Sequence, residues 1–193
     1  MSHTTYTTPA YVLSVRNIGE ANRLFTLLTR DFGTLSATAQ SIRLERSKLR
    51  FALQRFSFAE VSLVRGKGGW RITNAYYLSN IFLDKSSLHQ RIVVDSTELL
   101  RRLVVGETPD ENLFSIVSDG YMTLSALESK QLPAFELVFV SKILTTLGYG
   151  GETGILEEFD RESVSSESLR TLAEEKRPLI VKEINSALSS SGL

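Results

Sequence analysis

Hydrophobic and polar positions alternate with period two through the first 78 or so residues and recur at three-to-four spacing afterwards, which predicts strands first and helices second. From Pro9 onward Tyr11, Leu13 and Val15 alternate with Val12, Ser14 and Arg16 as a first strand. A turn at Asn17-Ile18-Gly19-Glu20 leads to a second strand near Arg23–Arg30. Gly33 permits a tight return into Thr34–Ser41, whose small and β-branched residues suit a third. A fourth strand runs near Phe56–Val64, the glycines of Arg65-Gly66-Lys67-Gly68-Gly69 supply a hairpin turn, and Trp70–Leu78 is the fifth. In that strand Trp70 is in phase with Ile72, Tyr76 and Leu78, an inward row, while Arg71 and Thr73 point outward. Phe56 and Phe58 share the phase of Glu60 and Ser62, which leaves open whether one ring is exposed. Five short strands in about 70 residues predict a small barrel or sandwich.

Beyond about Ser79 the spacing turns helical, so the chain is expected to divide into domains at 1–80 and 81–193, an α+β protein with its β part first. Thr97–Val105 puts Leu99, Leu100 and Leu103 on one stripe, and Asp110–Leu127 carries Leu113, Val117, Tyr121 and Leu124, with Asp110 after Pro109 as cap. Phe135–Leu147 is apolar nearly all round, which predicts a buried central helix ended by Gly148. Residues 150–168, rich in Gly, Glu and Ser, read as a loop with at most partial helix. Pro178 suits the first turn of a last helix carrying Leu179, Ile180, Ile184, Ala187 and Leu188, and Ser189–Leu193 is expected to fray.

The chain has 193 residues and no cysteine, which excludes disulfide frameworks, thiolate zinc sites, iron–sulfur clusters and a cysteine nucleophile. No apolar run approaches the ~18 residues that span a bilayer, and the first residues lack the basic flank and apolar stretch of a signal peptide, so a soluble cytoplasmic protein is expected. Net charge at pH 7 is zero, yet the signs are segregated. Residues 1–80 hold 11 Lys+Arg against four acids, and residues 81–193 hold 11 against 18. Such asymmetry points to a polyanion facing the first half, or to two electrostatically matched domains.

The densest positive stretch, Ile42–Arg55, has Arg43, Arg46, Lys48, Arg50 and Arg55 against Glu45 alone. If it is extended, Arg46, Lys48 and Arg50 point one way and Leu49, Phe51 and Leu53 the other, so apolar side chains anchor a basic ridge; if it is helical, Arg43, Arg46 and Arg50 share a face. Either form suits phosphates, whose contacts release counterions without reading sequence. Arg23, Arg30, Arg65, Lys67 and Arg71 on adjacent strands extend this into a groove if they converge. Interleaved aromatics suit stacking on unpaired bases, although the phase of Trp70 favours a place in the core.

Signals of catalysis are poor. His3 and His89 have no credible triad or ligand partners, and Gly148-Tyr149-Gly150-Gly151-Glu152-Thr153-Gly154 follows a helix and lacks the Lys-Ser/Thr ending of a P-loop. The reading is therefore a protein without catalytic residues, cofactor or metal.

The order of Tyr11-Val12-Leu13, Gly19-Glu20-Ala21-Asn22-Arg23, Leu24–Arg30, Gly33, Ser47-Lys48-Leu49-Arg50, Ala52-Leu53-Gln54, Glu60-Val61 and Arg65-Gly66, followed by Phe135-Glu136-Leu137, Leu144 and Leu147-Gly148-Tyr149, resembles the bacterial recombination mediator family RecO. The resemblance implies a five-stranded oligonucleotide-binding (OB-fold) barrel followed by a mainly helical domain. It also implies a role in DNA repair and recombination after DNA damage: binding single- and double-stranded DNA, strand annealing, and, with RecR, assisting the loading of RecA onto DNA coated by single-strand-binding protein. Carried over, DNA binding falls on Arg43, Arg46, Lys48 and Arg50. Ser41 and Phe51 stand where many members have glycine, and Arg55 where proline is common. The four-cysteine zinc site of many members is absent, so no metal is expected. Two other readings stay open: an RNA-binding barrel, which would use the same face, and an adaptor whose basic half docks acidic protein tails.

Overall fold

A computed structural model describes residues 4–82, 86–150 and 153–190. His3, Gly151, Glu152 and the last three residues lie outside the described part, while Ser189 and Ser190 still belong to a helix. The chain divides into two compact units, Met1–Leu83 with Thr97–Glu111, and Asp84–Ser96 with Asn112–Leu193.

The first unit is a closed barrel of β1 (Thr5–Ile18), β2 (Asn22–Thr29), β3 (Gly33–Ala39), β4 (Ser57–Gly66) and β5 (Gly69–Asn80) in the order β1-β2-β3-β5-β4. Only β3 and β5 pair in parallel. This is the OB-like barrel that the resemblance implies, and the α+β order of strands then helices holds. Phe25, Leu27, Leu35, Leu63, Trp70 and Ile72 fill it, and Ile42 and Leu53, both fully buried, close it from the connection between β3 and β4. Each such side chain contributes roughly 1.5–3 kcal/mol by leaving water. That connection includes the short helix α1 (Leu49–Ala52).

Of the three register shifts in the described strands, those at Val12/Ser14 and Ser62/Leu63 change the inward rows expected from alternation. In β1 the register shifts between Val12 and Ser14, so Ala10 and Val12 line the core before the bulge and Val15 packs against it afterwards. Tyr11, Leu13 and Val15 are therefore not one stripe. In β5 the shift at Ser62/Leu63 places Ala75 and Tyr77, rather than Tyr76 and Leu78, in phase with Trp70 and Ile72; Tyr76 is 62% and Leu78 53% exposed. An extra residue in one strand moves every following side chain to the other face. Trp70 itself is core, with Tyr6 and Phe32 at ring-centroid distances of 5.7 and 5.4 Å. Phe56 is buried against Phe82 at 4.9 Å, and Phe58 is half-buried against Tyr11 at 4.5 Å.

The helix α2 (Ser87–Leu103) begins ten residues before the expected stripe at Thr97. The second unit contains its first turns, α3 (Glu111–Ala126), α4 (Leu132–Thr146), α5 (Glu167–Glu175) and α6 (Arg177–Ser190). Helix α4 is the central one, buried along most of its length, as its all-round apolar surface predicts. It ends in a Schellman motif: Gly148, at φ +81°, donates its N–H to Thr145 O, and Tyr149 N–H reaches Leu144 O, both at 2.9 Å. Lys142 on α4 donates from Nζ to the carbonyls of Phe159 (2.8 Å) and Glu162 (2.9 Å), holding the 157–162 segment, and burial lowers its pKa. His89 is likewise structural, bonded to Ser86 Oγ (2.8 Å) and Leu127 O (3.1 Å).

Candidate nucleic-acid interface

The basic segment takes neither of its two expected forms throughout; it is a turn followed by α1. The chain leaves β3 through Ser41, whose φ of +54° lies in the left-handed region, and Ser41 N–H donates to Asn22 Oδ1 at 2.9 Å. Arg43 is tied across the β1–β2 turn, its backbone N–H to Ala21 O and its Nη1 to Gly19 O, both 3.0 Å. Arg46, Lys48 and Arg50 are exposed, whereas Ile42, Ala52 and Leu53 beneath them are buried. The apolar residues thus hold the segment on the barrel and leave its cations in water.

Arg55 places its guanidinium 4.6 Å over the Phe56 ring. With Arg23, Val15, Asn17 and Gln54 it lines a shallow hollow of about 330 Å³, and Arg23 Nε donates to Asn17 Oδ1 at 3.2 Å. Arg23, Arg43 and Arg55 are therefore gathered around the turn that joins β1 and β2, next to the Arg46–Arg50 ridge in the same connection.

The β4–β5 hairpin is separate. Arg65 stands in the row Val15, Phe25, Ala37, Trp70, Arg65. In the closed barrel β4 also borders β1, but there Val64 stands opposite Thr5, at the other end of β1 from Val15 and Asn17. Arg65 pairs with Glu107 at 3.4 Å and lies 5.3 Å over Trp70. Lys67 is exposed in the two-residue turn. Arg71 is exposed on the outer face in a row with Thr38, Leu24 and Arg16. Arg16 was not among the candidates on sequence grounds, although its place opposite the inward phase of Val15 marks it as outward.

Of the eleven cations in residues 1–80, only Arg30, with Asp31 at 3.2 Å, and Arg65 pair with a carboxylate among the described residues. Side chains a few residues apart lie within the ~8–10 Å over which salt screens charge, so Arg46, Lys48 and Arg50 act on an anion as one field. A further feature escaped the pattern reading: Phe51 is 70% exposed, and its ring lies 5.5 Å from that of Tyr77.

The family described as "Recombination protein O N terminal" matches residues 1–80. The DNA repair protein RecO of Heliobacterium modesticaldum is 32% identical over 154 residues, 78% of this chain and 54% of that protein. The proteins of the same description from Myxococcus xanthus (33% over 140 residues, 68% and 56%) and Dehalococcoides mccartyi strain CBDB1 (29% over 149, 76% and 58%) are similar as well. The chain spans about half the length of these curated relatives.

Proposed function

Because the chain belongs to the recombination protein O (RecO) family, we propose that it is a DNA repair and recombination mediator that acts by binding rather than by bond chemistry. The barrel holds the phosphates of single- and double-stranded DNA through Arg46, Lys48 and Arg50, with Arg23, Arg43 and Arg55 beside them and Arg71, Lys67 and Arg65 as outlying contacts. The observation that supports this most is the exposed ridge at 46–50, anchored from below and free of carboxylate partners among the described residues. Annealing follows from the same field. Two strands repel as they approach, and fixed cations between them lower that barrier where mobile salt only screens it. In the cell, taken as the cytoplasm, this activity serves RecA loading together with RecR on DNA covered by single-strand-binding protein. Among the described residues, no helix is long and apolar enough to cross a membrane.

The test is a fluorescence titration of labelled single-stranded and duplex oligonucleotides across salt concentrations, alongside an annealing assay. Each lost phosphate contact on a single strand reduces the salt slope by about 0.7, so replacing Arg46, Lys48 and Arg50 by alanine reduces it by roughly 2 and slows annealing. An unchanged slope with unchanged annealing rejects the assignment, and a strong preference for matched RNA in competition transfers it to RNA.

A further inference from the structure

We propose that Phe51 and Tyr77 form a stacking platform for unpaired bases, so that the barrel distinguishes single strands from duplex. This rests on the DNA-binding reading above and adds to it a source of selectivity that phosphate contacts lack. The geometry singles out these two rings. Helix α1 turns Ala52 inward and carries half-buried Leu49, while Phe51 is left 70% exposed, so the core does not require an aromatic there. Tyr77 stands opposite Ala59 in the inward phase of β5 but remains 41% exposed, and its ring meets that of Phe51 at 5.5 Å with planes inclined at 55°. The bulge that follows leaves Leu78 without a register partner between Tyr77 and Ser79, and 53% exposed.

The charge beside the rings determines what covers them. Arg50 precedes Phe51 directly and Lys48 lies two residues further back, both exposed and without ion pairs among the described residues. Exposed aromatic faces flanked by cations are complementary to a ligand that is polyanionic and offers flat faces. A single strand is both, since every base has a π-face. A duplex offers the same phosphates but keeps its bases stacked inside, out of reach of exposed rings.

Titrations of Phe51→Ala and Tyr77→Ala with single-stranded and duplex DNA of equal length test this. Single-strand affinity is expected to fall about 10-fold for each ring. Duplex affinity stays within roughly twofold, and the salt slope is unchanged because no charge has been removed. Phe51→Trp restores single-strand binding. The emission of Trp70, the only tryptophan of the native chain, verifies the fold of the two alanine variants, and circular dichroism that of Phe51→Trp. Variants that bind single strands as the wild type does, or that lose single-strand and duplex binding equally, overturn the platform while leaving the phosphate ridge intact. Wild-type protein that binds neither form overturns both.

Discussion

Replacing Gly33 with alanine is expected to destabilise the barrel far more than the same change at Gly19, although both glycines lie in the left-handed region, at φ +64° and +55°. For an L-residue that conformation costs about 1–2 kcal/mol, offset by about 0.4–1 kcal/mol from the reduced freedom of the unfolded chain. Gly19 has open space around it, so Gly19→Ala costs about 1 kcal/mol, the backbone term alone. A Cβ on Gly33 would overlap Thr108 O and lie 2.8 Å from Thr108 C and 2.9 Å from Gly106 O, all backbone atoms that cannot rotate away. The 106–108 segment must move, at about 1–3 kcal/mol for forced overpacking. It also strains the bond from Thr34 N–H to Gly106 O, 3.0 Å in the native fold and worth about 1 kcal/mol. The total for Gly33→Ala is about 3–5 kcal/mol. Urea unfolding followed by Trp70 fluorescence reads this directly, because Trp70 is 6% exposed within the barrel core. With a slope of about 2 kcal/mol per molar, the two variants should differ in midpoint by about 1 M or more. Equal midpoints would refute the contact of the 106–108 segment with the start of β3.

Ser41→Gly removes a side chain from φ +54° at the entry to the basic segment, relieving about 1–2 kcal/mol of strain against a larger unfolded-state entropy. The urea midpoint should rise, by about 0.5 kcal/mol of stability, with DNA affinity unchanged; a lower midpoint contradicts it. Glu98 accepts from Arg101 Nε (2.8 Å) and Nη2 (2.6 Å) and from Arg102 Nε (2.8 Å), and these hydrogen bonds, Arg101 foremost, lower its pKa from 4.5 to about 2. A folded-state pKa below the unfolded one stabilises the fold fully above about pH 4.5, and this is lost as pH falls toward 2. The pair is solvated, so the thermal midpoint of Glu98→Gln should lie only slightly below that of wild type at pH 7, by an amount near 0.5 kcal/mol, and the gap should close below about pH 4. A gap that persists at pH 2 assigns the effect to packing.

The five strands are visible in the alternation because each buries one row of side chains, and the edges of Asn22–Thr29, Gly33–Ala39 and Gly69–Asn80 fall close to where turn residues place them. What alternation cannot carry is a bulge. At Val12/Ser14 and at Ser62/Leu63 the chain inserts a residue without any marker in composition, and the inward row read for β5 is wrong from Asn74 onward. That is also why Tyr77 escaped notice: its exposure and its neighbour Phe51 depend on a phase set by the bulge. Helix α5 was missed for a different reason. Only Leu169 and Ala173 are buried on it, too few to form a periodic stripe among serines and glutamates. The basic segment stood out by charge density alone, whereas the separation of Arg65 and Lys67 from it depends on strand pairing and register, which period-two patterns do not encode.

The segregation of charge along the sequence persists in the ion pairs. Glu98 is held by Arg101 and Arg102, Arg91 pairs with Asp95 and Glu136, Lys130 with Glu128 and Lys176 with Glu158, all within residues 81–193. The Arg65–Glu107 pair is the one described bridge between the halves of the sequence. The acidic half thus supplies cations for many of its own carboxylates and, among the described residues, leaves all the barrel's cations but Arg30 and Arg65 without a carboxylate partner. With a net charge of zero the molecule as a whole has no monopole to attract a polyanion from a distance. On the proposed reading, attraction must therefore come from charges within a screening length of the phosphate, which assigns binding to the 43–55 segment and its neighbours rather than to the average charge. On the proposed DNA-binding reading, a steep salt dependence set by the 43–55 segment is expected, and removing acids of residues 112–190 is expected to change it little.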